Sequence, residues 1–240
     1  MRIEIWSDVV CPWCFIGKRR LESALAAFPH RDEVEVEYRS FELDPSAPTP
    51  ATEPVVGMLA RKYGVSVEQA GQMQDQVTQV AAEVGLEYHL DRTLHANTVD
   101  AHRLLHLALA ESGPRVQAEL KEALMTAYFT RAEDVTDHDV LRKAASDAGL
   151  DPSRVDVVLA SREYADAVRA DVDQARAFGA SGVPFFVVDR KFGVSGAQPV
   201  EVFTQVLERA WADSHPQLQV VGDPSADGAD GAVCGPEGCD

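Results

Sequence analysis

The chain has 240 residues, of which 45% are hydrophobic, and a formal net charge of −17 at pH 7. This length and hydrophobic content predict one large folded domain or two modest ones, and they exclude global disorder. The negative charge argues against nucleic acid and anionic membrane surfaces as partners, because both would repel the protein. No apolar run approaches the roughly 20 residues that span a bilayer.

The N-terminal segment predicts a strand, a helix and a second strand. Residues 2–7 alternate polar and apolar side chains, and they lack the apolar stretch of about 7–15 residues that a secretory signal needs. We therefore expect a cytoplasmic protein. A helix should begin at Pro12, where the missing N–H costs nothing, and run to about Phe28. Residues 34–41 alternate again, which completes a predicted parallel βαβ unit.

The middle of the chain, residues 46–179, is predicted to be α-helical after a proline-rich start. Its helix boundaries are marked by capping residues, glycines and prolines: the capping-box pairs Ser66–Gln69 and Thr136–Asp139, a cap at Asn97, and the stop-and-start pairs Gly113–Pro114 and Gly149–Pro152.

Strand patterns return in the C-terminal part. Residues 184–188 and 192–195 predict a hairpin, and residues 199–211 predict a closing helix. From Asp213 onward the chain has no Lys or Arg, and residues 213–240 are predicted to form a flexible acidic tail that carries a second cysteine pair.

The spacing of Cys11 and Cys14 indicates redox chemistry. With Cys11 at the start of a helix, the partial positive charge of the helix end favours its thiolate, which is the attacking species. Cys14, one turn inside and less exposed, would resolve the mixed disulfide. Pro12 fits the first helical turn. Trp13 is neutral, so we expect a less oxidising couple than a histidine at that position would give.

Other interpretations of these cysteines remain open on the residues alone. Cys11 and Cys14 could form half of a zinc site, with Cys234 and Cys239 as the other half. They could also be two structural thiols. The preceding strand and Pro12 favour the redox interpretation, so we expect no metal and no cofactor. His102 and His106 have metal-ligand spacing, but the leucines around them favour a packed helix.

Several segments, in this order along nearly the whole chain, resemble those of DsbA-like thioredoxin-fold proteins, and within them the FrnE-like group of cytosolic oxidoreductases. The matching segments are Ser7-Asp8 before the dithiol, Arg39 to Pro45, Asn97-Thr98 with Ala101 to Leu104, Gly182 to Phe186, and Ser195 to Pro199. The resemblance implies an α/β protein, a thioredoxin fold with an α-helical insertion domain. The expected core is 1–45 and 180–212, and the expected insertion is 46–179.

The resemblance also implies a cis peptide bond before Pro184, which would face the dithiol. From the residues alone, a trans Pro184 that opens an edge strand is the simpler expectation. With a cis bond, the backbone of Val183 would bind an extended substrate like an added strand. The related kappa-class glutathione transferases and 2-hydroxychromene-2-carboxylate isomerases use a serine with bound glutathione, whereas this chain has Cys11 and Cys14.

These observations predict a thiol–disulfide oxidoreductase or isomerase that acts on protein or peptide disulfides, with glutathione as a further candidate partner. The alternatives are a glutathione-dependent isomerase or transferase for a small aromatic compound, and a metal-binding or redox-sensing module without turnover. Cys234 and Cys239 are a candidate second redox pair, because Gly and Pro between them favour the bend that a disulfide needs. The sequence defines neither the direction of electron flow nor the oligomeric state.

Overall fold

The structure is a computed structural model that describes residues 1–216 and the backbone of residues 234–235 and 238–239. Its strands are β1 (Arg2–Ser7), β2 (Glu35–Ser40), β3 (Glu53–Pro54), β4 (Leu94–His95), β5 (Phe185–Val188), β6 (Phe192–Ser195), β7 (Cys234–Gly235) and β8 (Gly238–Cys239). Its helices are α1 (Pro12–Ala27), α2 (Val55–Tyr63), α3 (Val67–Glu83), α4 (Val99–Ser112), α5 (Pro114–Phe129), α6 (His138–Asp147), α7 (Pro152–Leu159), α8 (Ala165–Ala177) and α9 (Val200–Ser214).

A four-stranded sheet with the order β2-β1-β5-β6 lies at the centre of the fold. β1 is parallel to β2 and antiparallel to β5, and β5 is antiparallel to β6. The predicted parallel unit and the predicted C-terminal hairpin are therefore confirmed, with element ends within three residues of the expected positions. This sheet holds the start of α1 and the loop before β5 at the same end of β1.

Both faces of β1 are covered. Ile3 and Ile5 belong to a core with side chains of α1 and α9, whereas Trp6 packs with Ala175 of α8. Glu4 is 1% exposed and is ion-paired with Arg39 and Arg190. The alternating pattern thus correctly predicts a strand, but the polar position Glu4 is buried in an ionic network and does not face solvent.

The helices between the two halves of the sheet have a core that continues into α1. Its members include buried leucines of α4 and α5 together with Cys11, Cys14 and Phe15 of the α1 start. The dithiol is therefore packed between the sheet and the helical region. None of the helices described is long and apolar enough to cross a bilayer.

Local capping explains several helix boundaries. Ser66 and Gln69 form the predicted reciprocal capping box at α3. The predicted pair Thr136–Asp139 is wrong, because Asp137 caps α6 and accepts a hydrogen bond from the backbone N–H of Asp139. The Thr136 hydroxyl instead donates to Asp134 at 2.7 Å. An aspartate one residue nearer the helix supplies a charged acceptor, which strengthens the cap at the positive helix end.

Candidate active site

The dithiol lies at the beginning of α1, as the sequence predicts. Cys11 is the N-cap residue, Pro12 occupies the first helical position, and the first turn contains no acidic residue that would neutralise the helix end. The backbone N–H of Cys14 donates to the carbonyl of Cys11 at 3.0 Å, which places Cys14 one turn inside. Both thiols are free in the structure.

The two thiols have similar exposed fractions, but only Cys11 can be reached from the cleft. Cys11 is 4% exposed and Cys14 is 2% exposed, so Cys14 is the more buried only by a narrow margin. Cys11 lines the large cleft beside α1, whereas Cys14 does not. Burial, followed by the hydrogen bond with Cys11, raises the pKa of the Cys14 thiol well above its usual range. A substrate in the cleft therefore meets Cys11 first.

The loop before β5 completes the site opposite Cys11. The peptide bond between Val183 and Pro184 is cis, as the family resemblance implies. The carbonyl of Val183 accepts a hydrogen bond from Cys11 Sγ at 3.7 Å. Helix α1 approaches this loop closely at Gly17, where an added Cβ would lie 3.1 Å from both Pro184 Cγ and Phe186 Cζ.

Asp8 connects the dithiol to the surrounding helices. Its carboxylate is 1% exposed, accepts from the backbone N–H of Leu43 at 2.8 Å, and lies 3.2 Å from Nε2 of the fully buried His102. Burial alone would raise the pKa of Asp8, but the hydrogen bonds from His102 and Leu43 hold it below its usual value. Burial lowers the pKa of His102. Asp8 is therefore a buried, hydrogen-bonded carboxylate and not a solvated residue at the end of β1.

Lys121 was not among the residues singled out by sequence analysis. It lies on α5, is 0% exposed, and donates from Nζ to the carbonyl of Ser7 at 3.2 Å. Burial lowers its pKa from 10.5 to about 8. A lysine on an amphipathic helix is ordinarily expected on the solvent face, so only its neighbours Leu120, Leu124 and Met125, all fully buried, hint at its position.

The cleft beside Cys11 has a volume of about 690 Å³ and an apolar wall. Four of its lining residues, Trp13, Leu43, Tyr63 and Met73, are large hydrophobic side chains that are between 38% and 55% exposed. Exposed apolar side chains that converge on one concave surface indicate a binding site. Arg61, which is paired with Glu53, and Lys62 add positive charge within a strongly acidic chain.

The two histidines with metal-ligand spacing contact different acids. His102 contacts Asp8, whereas His106 contacts Asp171 at 3.0 Å and Ser40 at 3.1 Å. Among the described residues, no group of three or more His, Cys, Asp or Glu side chains is arranged to hold a metal ion. Cys234 and Cys239 face each other in the β7–β8 ladder, and their side chains lie outside the described part of the chain.

Comparison with known proteins assigns the family. The chain is similar to the crystal structure of a probable DsbA oxidoreductase from Streptomyces coelicolor, with 48% identity, a TM-score of 0.84, and coverage of 100% of this chain and 98% of that one. It is 28% identical over 209 residues to the uncharacterized protein YwbO of Bacillus subtilis, covering 86% of this chain and 96% of the relative. A 2-hydroxychromene-2-carboxylate isomerase structure shares the fold at 12% identity and a TM-score of 0.63, covering 89% of this chain and 98% of that one.

The family model described as the DSBA-like thioredoxin domain matches residues 2–208. This match and the element order confirm the predicted α/β thioredoxin fold with a helical insertion, while the boundaries proposed for that insertion stay a prediction. Proteins of this kind act on thiols or disulfides. The chain belongs to the DSBA-like thioredoxin domain family.

Proposed function

We propose that the protein is a thiol–disulfide oxidoreductase that exchanges protein or peptide disulfides through Cys11 and Cys14. The observation that carries the proposal is the position of Cys11: its thiol sits at a helix start, faces the Val183 carbonyl beside cis Pro184, and lines an apolar cleft. The thiolate is the attacking species, and the cleft gives a substrate access to Cys11.

The proposed reaction has two exchange steps. The Cys11 thiolate attacks one sulfur of a substrate disulfide, forms a mixed disulfide, and releases the other substrate sulfur as a thiolate. Cys14 then loses its proton and attacks Cys11 Sγ, which forms the Cys11–Cys14 bond and releases the second substrate sulfur. The substrate disulfide is reduced and the dithiol is oxidised; the reverse sequence oxidises a substrate dithiol.

The walls of the cleft favour a polypeptide substrate. The exposed side chains of Trp13, Leu43, Tyr63 and Met73 would cover apolar side chains next to the reacting cysteine. The backbone of Val183 would pair with an extended segment as an added strand does. Pro12 and Trp13 tune the site, since Pro12 starts the helix and Trp13 contributes no charge beside Cys11.

A mixed-disulfide trap tests the proposal. With a disulfide-bonded peptide, and with Cys234 and Cys239 changed to Ser in every variant, Cys14→Ser should accumulate a covalent Cys11–peptide adduct, because no resolving thiol remains. Cys11→Ser should form no adduct and show no turnover. Intact mass and thiol release measure both results. If Cys11→Ser turns over the peptide at the parent rate, the proposal is wrong.

A second candidate is a glutathione-dependent isomerase or transferase that acts on a small aromatic compound. The cleft volume of about 690 Å³ lies within the range of small-molecule sites, and this observation favours the candidate. Tight glutathione binding with poor activity on peptide disulfides would support it and count against protein substrates. A cysteine at position 11 with a second thiol at position 14 favours disulfide exchange.

We further propose that Cys234 and Cys239 form a second redox pair that exchanges with Cys11 and Cys14. The two residues are directly opposite each other in the β7–β8 ladder. Such pairs have Cα atoms about 4.5–5.5 Å apart, which suits a disulfide.

We also propose a cytoplasmic location for the protein. In the cytoplasm a close cysteine pair is more often catalytic than structural. Cell fractionation tests this location.

A further inference from the structure

We infer that Lys121 is an electrostatic positioning residue for Cys14, and that its buried charge, held at the Ser7 end of β1, stabilises the Cys14 thiolate. This inference rests on the proposed dithiol function and extends it to a residue outside the cleft. It assigns a role to a buried cation on α5, a helix that contributes neither cysteine.

The burial of Lys121 is unusual for a lysine. The side chain is 0% exposed, and no carboxylate of residues 1–216 lies within ion-pairing distance of its Nζ. Lys18, which is 6% exposed, is by contrast paired with Glu22 and Glu122. A buried charge is costly unless it is paired. The acidic groups whose charges act on Lys121 are Cys14, Asp8 and Cys11, with Cys14 the strongest.

Lys121 lies next to the core in which the dithiol is packed. Its Nζ donates to the carbonyl of Ser7, the last residue of β1, at 3.2 Å. Its neighbours on α5, Leu120 and Leu124, belong to the same core cluster as Cys14. The charge of Lys121 lowers the pKa of Cys14, because a nearby cation favours the thiolate.

Lys121 favours the ionisation of Cys14, which the burial of this thiol makes unfavourable. Cys14 must be a thiolate when it attacks Cys11 Sγ, and it leaves as a thiolate when a substrate thiolate attacks Cys11 in the reverse direction. Lys121 stabilises the same atom in both directions and does not itself exchange a proton or an electron. The Cys14 proton passes to solvent, and the departing substrate sulfur takes one up.

The charged and titratable groups around Lys121 come from several elements. They are Cys11, Cys14 and Lys18 on or beside α1, Asp8 after β1, Tyr38 on β2, whose ring centroid lies 5.9 Å from Nζ, and His102 on α4. Asp8 carries a negative charge that opposes ionisation of the thiols, whereas the charge of Lys121 favours the thiolate of Cys14.

Lys121→Met tests the inference, since methionine keeps the length of the side chain and removes its charge. Ellman's reagent reacts with Cys11 and releases one coloured thiolate, and attack by Cys14 then releases a second. The second phase is followed against pH in full-length protein with Cys234 and Cys239 changed to Ser, so that only the Cys11–Cys14 pair contributes. Lys143→Met, an exposed lysine on α6, is the matched charge-removal control.

The expected result is a slower second phase in Lys121→Met at pH 7, by about threefold for each tenfold fall in thiolate abundance. Higher intrinsic nucleophilicity offsets about half of the loss of thiolate on a logarithmic scale. The pH at which the rate levels off should rise, while Lys143→Met keeps the parent profile. A structural role alone would not move this pH.

Two outcomes separate the inference from the proposed function. A parent protein that releases only one thiolate lacks dithiol exchange, and the proposed function fails. A parent that releases two, with an unchanged second-phase rate and pH profile in a folded Lys121→Met, overturns the role of Lys121. The thermal midpoint of the variant, expected not to fall, establishes that it is folded.

Discussion

The close approach of α1 to the cis-proline loop gives a stability prediction with an internal control. Gly17 and Gly71 are both glycines within helices, and replacing such a glycine by alanine normally stabilises by about 1 kcal/mol. At Gly71 no heavy atom beyond the chain neighbours and the backbone of its own helix lies within 4 Å of the added Cβ, so Gly71→Ala should stabilise the folded protein. At Gly17 the new Cβ would lie 3.1 Å from Pro184 and from Phe186, closer than the roughly 3.5–4.0 Å of a good carbon–carbon contact.

The cost at Gly17 follows from its neighbours. Pro184 is held by its ring, and Phe186 is 1% exposed in the core, so neither can move freely. Overpacking of this kind costs roughly 1–3 kcal/mol. Set against the propensity gain, Gly17→Ala should be destabilising by up to about 2 kcal/mol, and the two variants should differ by about 1–3 kcal/mol.

Urea unfolding at pH 7 measures this difference through the midpoint, with the slope expected to stay constant. Displacement of Pro184 should also slow thiol exchange at Cys11 in Gly17→Ala but not in Gly71→Ala. Equal stabilisation by both substitutions would refute the close packing of α1 against the loop, since it would mean that the site has room for a methyl group.

Three further changes are expected to give defined results. Trp13→His should raise the reduction potential of the dithiol in glutathione buffers, because an imidazolium beside Cys11 stabilises the reduced, thiolate form; an unchanged or lower potential would count against this reasoning. Burial lowers the pKa of Lys121 from 10.5 to about 8, so the unfolded chain binds the Lys121 proton more tightly than the folded protein does. Removing this charge in Lys121→Met should therefore raise the free energy of unfolding by about 3 kcal/mol below pH 8. The difference between variant and parent should disappear as the pH rises from about 8 to about 10.5, and a difference that does not change with pH would contradict this prediction. Replacing Cys234 and Cys239 by Ser together should slow turnover of a disulfide peptide, and a variant that matches the parent in turnover, redox potential and metal sensitivity would remove the case for a second pair.

Much of the sheet could be predicted from the sequence because its signals are local. The alternation in β1 and β2, the position of Pro12, and the hairpin residues before and after Asp189 each reflect a short-range rule, and their elements appear within three residues of the expected ends. The two-residue ladder of β3 and β4 was not predicted, because its strands are too short to show a period and are separated by about 40 residues.

The active site could be predicted only where its residues are adjacent in sequence. The spacing of Cys11 and Cys14 in the sequence is enough to predict their role. Lys121 and His102 lie near the site only because α5 and α4 pack there. A lysine's hydrophilicity predicts a surface position, and the apolar neighbours of Lys121 on α5 do not by themselves show that the helix is also covered on that side. The pairing of Glu4 with Arg39 and Arg190 has the same origin, because it depends on which elements cover the second face of β1.

The reduction potential of the Cys11–Cys14 pair, measured in glutathione buffers with the tail cysteines replaced by Ser, decides whether the two thiols form one redox centre. We expect a reversible two-electron transition between the free dithiol and an intramolecular Cys11–Cys14 disulfide, followed by intact mass after alkylation. A protein that only accumulates one glutathione on Cys11 across the same buffers, and never forms the internal disulfide, would contradict it.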